Sequence, residues 1–375
     1  MISPYIFVKT TRPGRVSPAN RFGLDYRAVA ARLGTPVRPI IDAHLHVNGV
    51  AAAKIFKFVA PLFGVSRVFS QTRLDQVAGV REVLGDAARF VAIPNFMAAD
   101  RKQAFGPGYL DAIKAYHAEH GSRMIKFWNA PRLRDLITGD DAMDYIPFDS
   151  PWRVKAAELA MSLGMMFQCH VADPDTWFKT KYADSTKYGT KLGAYESLER
   201  MVDRFPAPWL VAHMGGWPED LSFLTGLLER HDNLYLDASA TKWIVREISR
   251  HSREAVLAFM TRWSGRVLFG SDIVTTDEHL TPPAGEAKAH PMGDLADSPE
   301  AAFDLYSSRY AALRAMWESS YVGESPIADP DLHMVDPAMN SPMAAPLLRG
   351  FGLPAEVLRP FYGDAAEALF AKVGW

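Results

Sequence analysis

Hydrophobic residues in this chain fall into short continuous runs separated by longer amphipathic stretches. Eight runs read as strands: Ile40–Val47, Val65–Ser70, Phe90–Phe96, Arg123–Trp128, Met165–Val171, Trp209–Met214, Leu234–Ala238 and Val267–Ile273. Most lack the strict apolar–polar alternation of a strand with one wet face, and so predict parallel strands buried on both sides. Between them, Leu110–His120, Trp152–Leu163, Tyr195–Arg204, Asp220–Arg230 and Val245–Arg262 carry helical spacing. A strand followed by a helix, repeated along the chain, predicts an α/β fold of the (β/α)8, TIM-like barrel class.

Two regions break the rhythm. Residues 172–194, after the fifth strand, are rich in charge and aromatic rings, and residues 274–300, after the eighth, are rich in Pro, Gly and acid. In a barrel both leave the face where strands end, so they are expected to rim a pocket or to be plain surface loops. Residues 1–38 are expected as an arm packed on a single barrel domain of 39–375.

Composition narrows the class. With 375 residues, 48% of them hydrophobic, the chain can bury a large core. A formal net charge of −2 gives no electrostatic case for nucleic acid. The single cysteine, Cys169, implies no disulfide framework. Met1–Val8 is too short and lacks the basic flank of a signal peptide, and no run approaches the ~18–20 apolar residues of a membrane span. A cytoplasmic, membrane-free enzyme is the expectation, and 11 histidines turn attention to metal ligands.

His44 and His46, in Asp42-Ala43-His44-Leu45-His46, are two apart on a strand, so both imidazoles leave the same face. Two such rings can share one metal ion, although an incidental pair reads the same. Asp42 has their parity, one layer deeper. Further strand ends carry His170 in Phe167-Gln168-Cys169-His170-Val171, His213 in Val211-Ala212-His213-Met214-Gly215-Gly216, and Asp272 in Phe269-Gly270-Ser271-Asp272-Ile273. Each alone has a structural explanation: a core histidine, or a helix cap for Asp272. Together, at strand ends that a barrel gathers about one axis, they predict a metal centre.

These motifs resemble the amidohydrolase superfamily, in particular its branch of amidohydrolase-related hydrolases, lactonases and non-oxidative decarboxylases. The resemblance rests on DAHLH, the strand-five histidine, AHMGG and FGSD, in order over residues 39 to 273. Tyr362-Gly363-Asp364-Ala365-Ala366-Glu367-Ala368-Leu369-Phe370 is similar to the helix that closes these chains, with Asp364 where the family often has Asn. The resemblance implies that His44, His46, His170 and Asp272 bind a divalent metal: zinc first, manganese or iron otherwise, as one ion or two. It implies His213 as a second-metal ligand or a partner of the bound water. It also implies a small-molecule substrate and a homodimer or larger homo-oligomer.

Lys126, in the fourth strand, has three readings: a carboxylated bridge between two metals, a substrate-anchoring cation, or a side chain that reaches solvent. Arg132 is a candidate clamp for a substrate carboxylate and Trp177 a candidate wall for a ring, with exposed loop positions as the alternative. Asp237 reads as an orienting partner or a loop cap. Cys169 has the opposite parity to His170 and so no catalytic role. Tyr306, Arg309, Tyr310 and Trp317 read as helix packing, and His117, His120, His231 and His251 as solvent-facing.

The chemistry expected of such a ligand set is hydrolysis. A divalent ion lowers the pKa of a bound water from about 15.7 to roughly 7. Asp272 is then placed to take the proton and His213 to stabilise the oxyanion. The bond would be an amide, a lactone or a related carbonyl linkage. The rival is decarboxylation of a small, for example aromatic, carboxylic acid, which uses the same ligands. A non-catalytic metal-binding barrel is a third reading, opposed by the completeness of the ligand set.

Overall fold

The computed structural model describes residues 5–8, 16–282, 288–289 and 292–375. Residues 1–4 and 9–15 of the expected arm, and 283–287 and 290–291 of the expected loop after the eighth strand, lie outside these. Strand β1 spans Ile40–Val47, β2 Val65–Ser70, β3 Ala88–Phe90, β4 Met124–Trp128, β5 Met166–His170, β6 Trp209–Val211, β7 Leu234–Asp237, β8 Val267–Leu268 and β9 Val274–Thr275. The fold is α/β, with parallel strands and helices alternating in the chain order of a (β/α)8 protein. Among the described residues no helix is long and apolar enough to cross a membrane.

β1 and β2 keep the expected bounds, because their apolar runs stay paired to the end. β6 and β8 stop short of theirs. His213 and Met214, at φ 60° and 49°, turn the backbone out of the strand after β6, and Asp272, at φ 56°, does so after β8. The expected continuation of β3 retains only a bridge between Ala92 and Ile125. The helix expected over Val245–Arg262 is two helices, Thr241–Ile248 and Arg253–Arg262. Ser252 starts the second by accepting from the Ala255 N–H at 3.1 Å.

The chain divides into two compact units. Unit 1 comprises Met1–Ser70, Ala78–Ala88 and Ala238–Ala366. In it β1 runs parallel to β2, with Ile40 opposite Val65 and Leu45 opposite Ser70. On its other side β1 pairs with β9, with His46 opposite Val274. The Ala43 N–H donates to Phe269 O at 3.0 Å and the His46 N–H to Ile273 O at 2.7 Å, which extends this pairing along β1.

A helix over Pro299–Glu318 buries Tyr306, Tyr310 and Trp317 in unit 1, as their helical spacing predicts. Its Arg314 is fully buried, paired to Glu318 at 2.6 Å and donating to the carbonyls of Leu33 and Gly34. Residues expected in the arm are thereby tied into unit 1. Asn20 adds to this by bonding Leu24 through both its amide groups and donating to Asp304 at 2.9 Å.

Burial pushes the Asp304 carboxyl up to about 6, against the opposing pull of Asn20 and Arg27. The folded chain therefore holds this proton more tightly than the unfolded one. Asp304 contributes stability that is complete below about pH 4. That contribution is lost as the pH rises through about 6. In Asp304→Asn, whose amide oxygen still accepts from Asn20, the urea midpoint is expected to fall less between about pH 4 and about pH 8 than in the unaltered protein. Equal pH slopes would count against the assignment.

Unit 2 comprises Gln71–Val77, Arg89–Asp237 and Glu367–Trp375. Here β4, β5, β6 and β7 lie side by side and parallel. Lys126 is opposite Gln168 and Trp128 opposite His170, so these four share one face of the sheet. The other face carries Phe127, Phe167 and Trp209, with Phe167 and Trp209 stacked at 4.2 Å. Each ring is fully or nearly fully buried, a contribution of about 2–3 kcal/mol apiece. The expected loop 172–194 contains two short helices, Asp175–Phe178 and Ser185–Tyr188, and the start of a longer one at Lys191. His231 is buried, not solvent-facing, because Glu199 at 3.0 Å and Asp203 at 3.2 Å both reach it.

Candidate metal centre

In unit 1, β1 presents His44 and His46 two residues apart, and the turn after β8 brings Asp272 to them. Asp272 Oδ1 lies 3.1 Å from His46 Nε2 and 3.6 Å from His44 Nε2. Two ligand atoms bound to one zinc at tetrahedral angles are about 3.3–3.5 Å apart. The His44–His46–Asp272 donor set therefore fits a single divalent cation, in spacing and in its mix of imidazole and carboxylate. His44 Nδ1 is 2.9 Å from Ser239 Oγ. With Ser239 as the acceptor, Nδ1 carries the proton and Nε2 presents its lone pair.

The backbone holds Asp272 in place. The N–H groups of Ser271 and Asp272 both donate to His44 O, at 3.2 and 2.7 Å. The positive φ of Asp272 costs on the order of 1 kcal/mol, which that pairing offsets. Asp42 lies beneath, completely buried. One carboxylate oxygen accepts from the Ser271 and His44 N–H groups at 3.0 and 3.2 Å, and the other from Tyr310 OH at 2.8 Å. Burial pushes its carboxyl up to about 7, with these hydrogen bonds pulling the other way. Asp42 is a clamp joining β1, the turn after β8 and the helix Pro299–Glu318.

In unit 2, His170 ends β5 and His213 follows β6. His170 Nδ1 is 3.1 Å from His213 Nε2, while His170 Nε2 is 2.7 Å from Asp173 Oδ1. Tyr182 OH donates to the other Asp173 oxygen at 2.8 Å. His213 is set by its left-handed backbone and by its own N–H, which donates to Asp237 Oδ1 at 3.0 Å. Gly216 has φ 78°, and a Cβ there would lie 2.7 Å from Ala172 O, so the turn after β6 closes against the backbone after β5 only with glycine.

Residues 41–372 match the amidohydrolase family Amidohydro_2. The chain belongs to the amidohydrolase family. No curated protein matches it. Among solved structures, this chain is similar to an uncharacterized TIM-barrel protein from Bordetella bronchiseptica at 12% identity and a TM-score of 0.47, over 90% of this chain and 99% of that one. It is similar to a zinc-bound amidohydrolase from Burkholderia multivorans at 14% identity and a TM-score of 0.42, over 88% and 99%. It is also similar to 5-carboxyvanillate decarboxylase from Sphingomonas paucimobilis at 12% identity and a TM-score of 0.39, over 74% and 98%. The assignment rests on the family match.

Other residues singled out from sequence fall in varied surroundings. Lys126 is 3% exposed, which overturns the solvent-reaching reading, and Tyr109 OH donates to its carbonyl. Arg132 is exposed at the start of the helix Leu133–Leu136. Trp177 is half-buried and packs on Tyr182, with ring centroids 5.6 Å apart. Cys169 is buried, and burial pushes its thiol up to about 12, so it is inert. Sequence reasoning gave Asp173, Tyr182 and Ser239 no role beside the histidines, placing the first two only among the charged and aromatic residues of the loop 172–194. For Asp173 a signal existed, a carboxylate three residues beyond a strand-end histidine; for Ser239 there was none.

Proposed function

We propose that the protein is a metal-dependent hydrolase that cleaves an amide, lactone or related carbonyl bond of a small molecule. One observation carries the reading: His44, His46 and Asp272 converge with the spacing of ligands to a single cation. The order of DAHLH, His170, AHMGG and FGSD along the sequence, which resembles the family's, supports giving His170 and His213 a part in the same chemistry. Zinc suits the imidazole–carboxylate donor set, with manganese or iron accommodated by it.

When bound, such a cation supplies Lewis acidity toward a carbonyl and toward water. Asp272, the partly exposed carboxylate of its cluster, accepts the proton of the attacking water and returns it to the leaving group. His213 donates toward the developing oxyanion. Arg132 and Trp177 line the way to the substrate, and Lys126 serves as an internal cation or a carboxylated ligand. A small-molecule substrate, a cytoplasmic location and a homo-oligomeric state belong to the same reading.

The test is metal analysis of purified protein combined with assays on lactones, amides and carboxylic acids. Near-stoichiometric divalent metal is expected, with hydrolysis abolished by chelation and restored by zinc. Protein free of metal and indifferent to chelator would overturn the proposal. Carbon dioxide release from aromatic acids, without hydrolysis, would replace the hydrolase by a lyase.

A further inference from the structure

Asp173 and Tyr182 have no place in the chemistry above, yet both are 3% exposed and are bonded in sequence to His170. An ionised carboxylate only accepts hydrogen bonds, so at 2.7 Å Asp173 requires the proton of His170 to sit on Nε2. The Nδ1 of a neutral imidazole then carries the lone pair, and Nδ1 is the nitrogen that faces His213. Tyr182 OH holds the second Asp173 oxygen, so the carboxylate cannot rotate away. Tyr182 itself is set by aromatic contacts with Trp177, Phe178 and Tyr188, at centroid distances of 5.6, 5.6 and 5.0 Å.

We propose that Asp173, anchored by Tyr182, is a positioning residue that selects the Nε2–H tautomer of His170. His170 thus meets the metal through Nδ1, and its affinity depends on the loop that carries Tyr182. The metal half of this statement rests on the proposed metal-dependent function; the tautomer half stands without it. A carboxylate behind an imidazole fixes the ring and raises its basicity, and loss of such a partner typically weakens metal binding about 10–100-fold. The loop after β5 therefore acts on the metal ligand directly as well as on any substrate.

Two measurements test this on the full chain and its Asp173→Ala, Asp173→Asn and Tyr182→Phe variants, with circular dichroism to verify folding. The first is the tautomer of His170 in metal-free protein, read from two-bond proton–nitrogen NMR correlations and assigned with His170→Gln. The second is zinc affinity by competition with a chromogenic chelator. The unaltered protein is expected to show Nε2–H at His170 and Asp173→Ala a mixture of tautomers. Zinc affinity should fall about 10–100-fold in Asp173→Ala. It should fall less in Asp173→Asn, whose amide oxygen still accepts, and in Tyr182→Phe, which loosens the carboxylate without removing it.

A purely structural Asp173 would leave the tautomer unmoved. An Nδ1–H tautomer in the unaltered protein overturns the proposal, as does unchanged zinc affinity in Asp173→Ala. If Asp173→Ala does not fold, the tautomer of the unaltered protein and the zinc affinity of Tyr182→Phe, where no loss would overturn the proposal, decide the two points. Failure of the unaltered protein to bind zinc would overturn the metal-dependent function, and the NMR result would then decide the tautomer proposal alone.

Discussion

Asp272→Asn is expected to lower turnover of the best substrate by about a thousandfold while most of the metal stays bound. The amide keeps an oxygen of the same shape beside His46 Nε2 and His44 Nε2, now 3.1 and 3.6 Å from the carboxylate. It carries no negative charge and accepts no proton at neutral pH. Because Asn tolerates the left-handed backbone as well as Asp does, the turn at φ 56° should persist. Turnover at saturating zinc and metal content by mass spectrometry would be measured together. Retention of more than about a tenth of the unaltered turnover would remove Asp272 from proton transfer.

The largest effect on stability is expected at Asp42. In Asp42→Ala, Tyr310 OH and the His44 N–H lose a buried acceptor at once, while the Ser271 N–H keeps His44 O at 3.2 Å. An unsatisfied buried donor costs about 1–3 kcal/mol. Partial relaxation of the two leaves an expected loss of about 2–4 kcal/mol in urea unfolding. Asp42→Asn should cost far less, because burial already drives this carboxyl toward its neutral form, up to about 7. A loss below about 1 kcal/mol in Asp42→Ala would show that the clamp is ornamental.

The contrast between those two aspartates shows what was legible in the sequence. Parity placed Asp42, His44 and His46 on one face, and it correctly put Asp42 deeper. It did not reveal that Asp42 is consumed by hydrogen bonds from residues 268 and 229 positions away. Strand ends were the least readable part. The runs Trp209–Met214 and Val267–Ile273 are apolar enough to look like strands throughout, but His213, Met214, Ala240 and Asp272 are the non-glycine residues with positive φ among those described. Apolar periodicity carries no information about such backbone reversals. The break between Thr241–Ile248 and Arg253–Arg262 was missed, although Ser252 with Glu254 in the first turn is a helix-start signal. His231 was not legible, because its partners Glu199 and Asp203 come from a helix nearly thirty residues or more upstream.

The pairing of β1 with the segment Phe269–Thr275 also has a consequence in time. Ser271 and Asp42, which bond one another, are 229 residues apart. At a synthesis rate of about 5–20 residues per second, the ribosome needs roughly 10–50 s to supply the second partner after the first. Throughout that interval one edge of β1 has no native backbone mate from Phe269–Thr275. A nascent strand edge of this kind is open to pairing with other chains. Yield from rapid overexpression should therefore be limited by this interval, and slower synthesis or a chaperone that shields the β1 edge is the remedy it calls for.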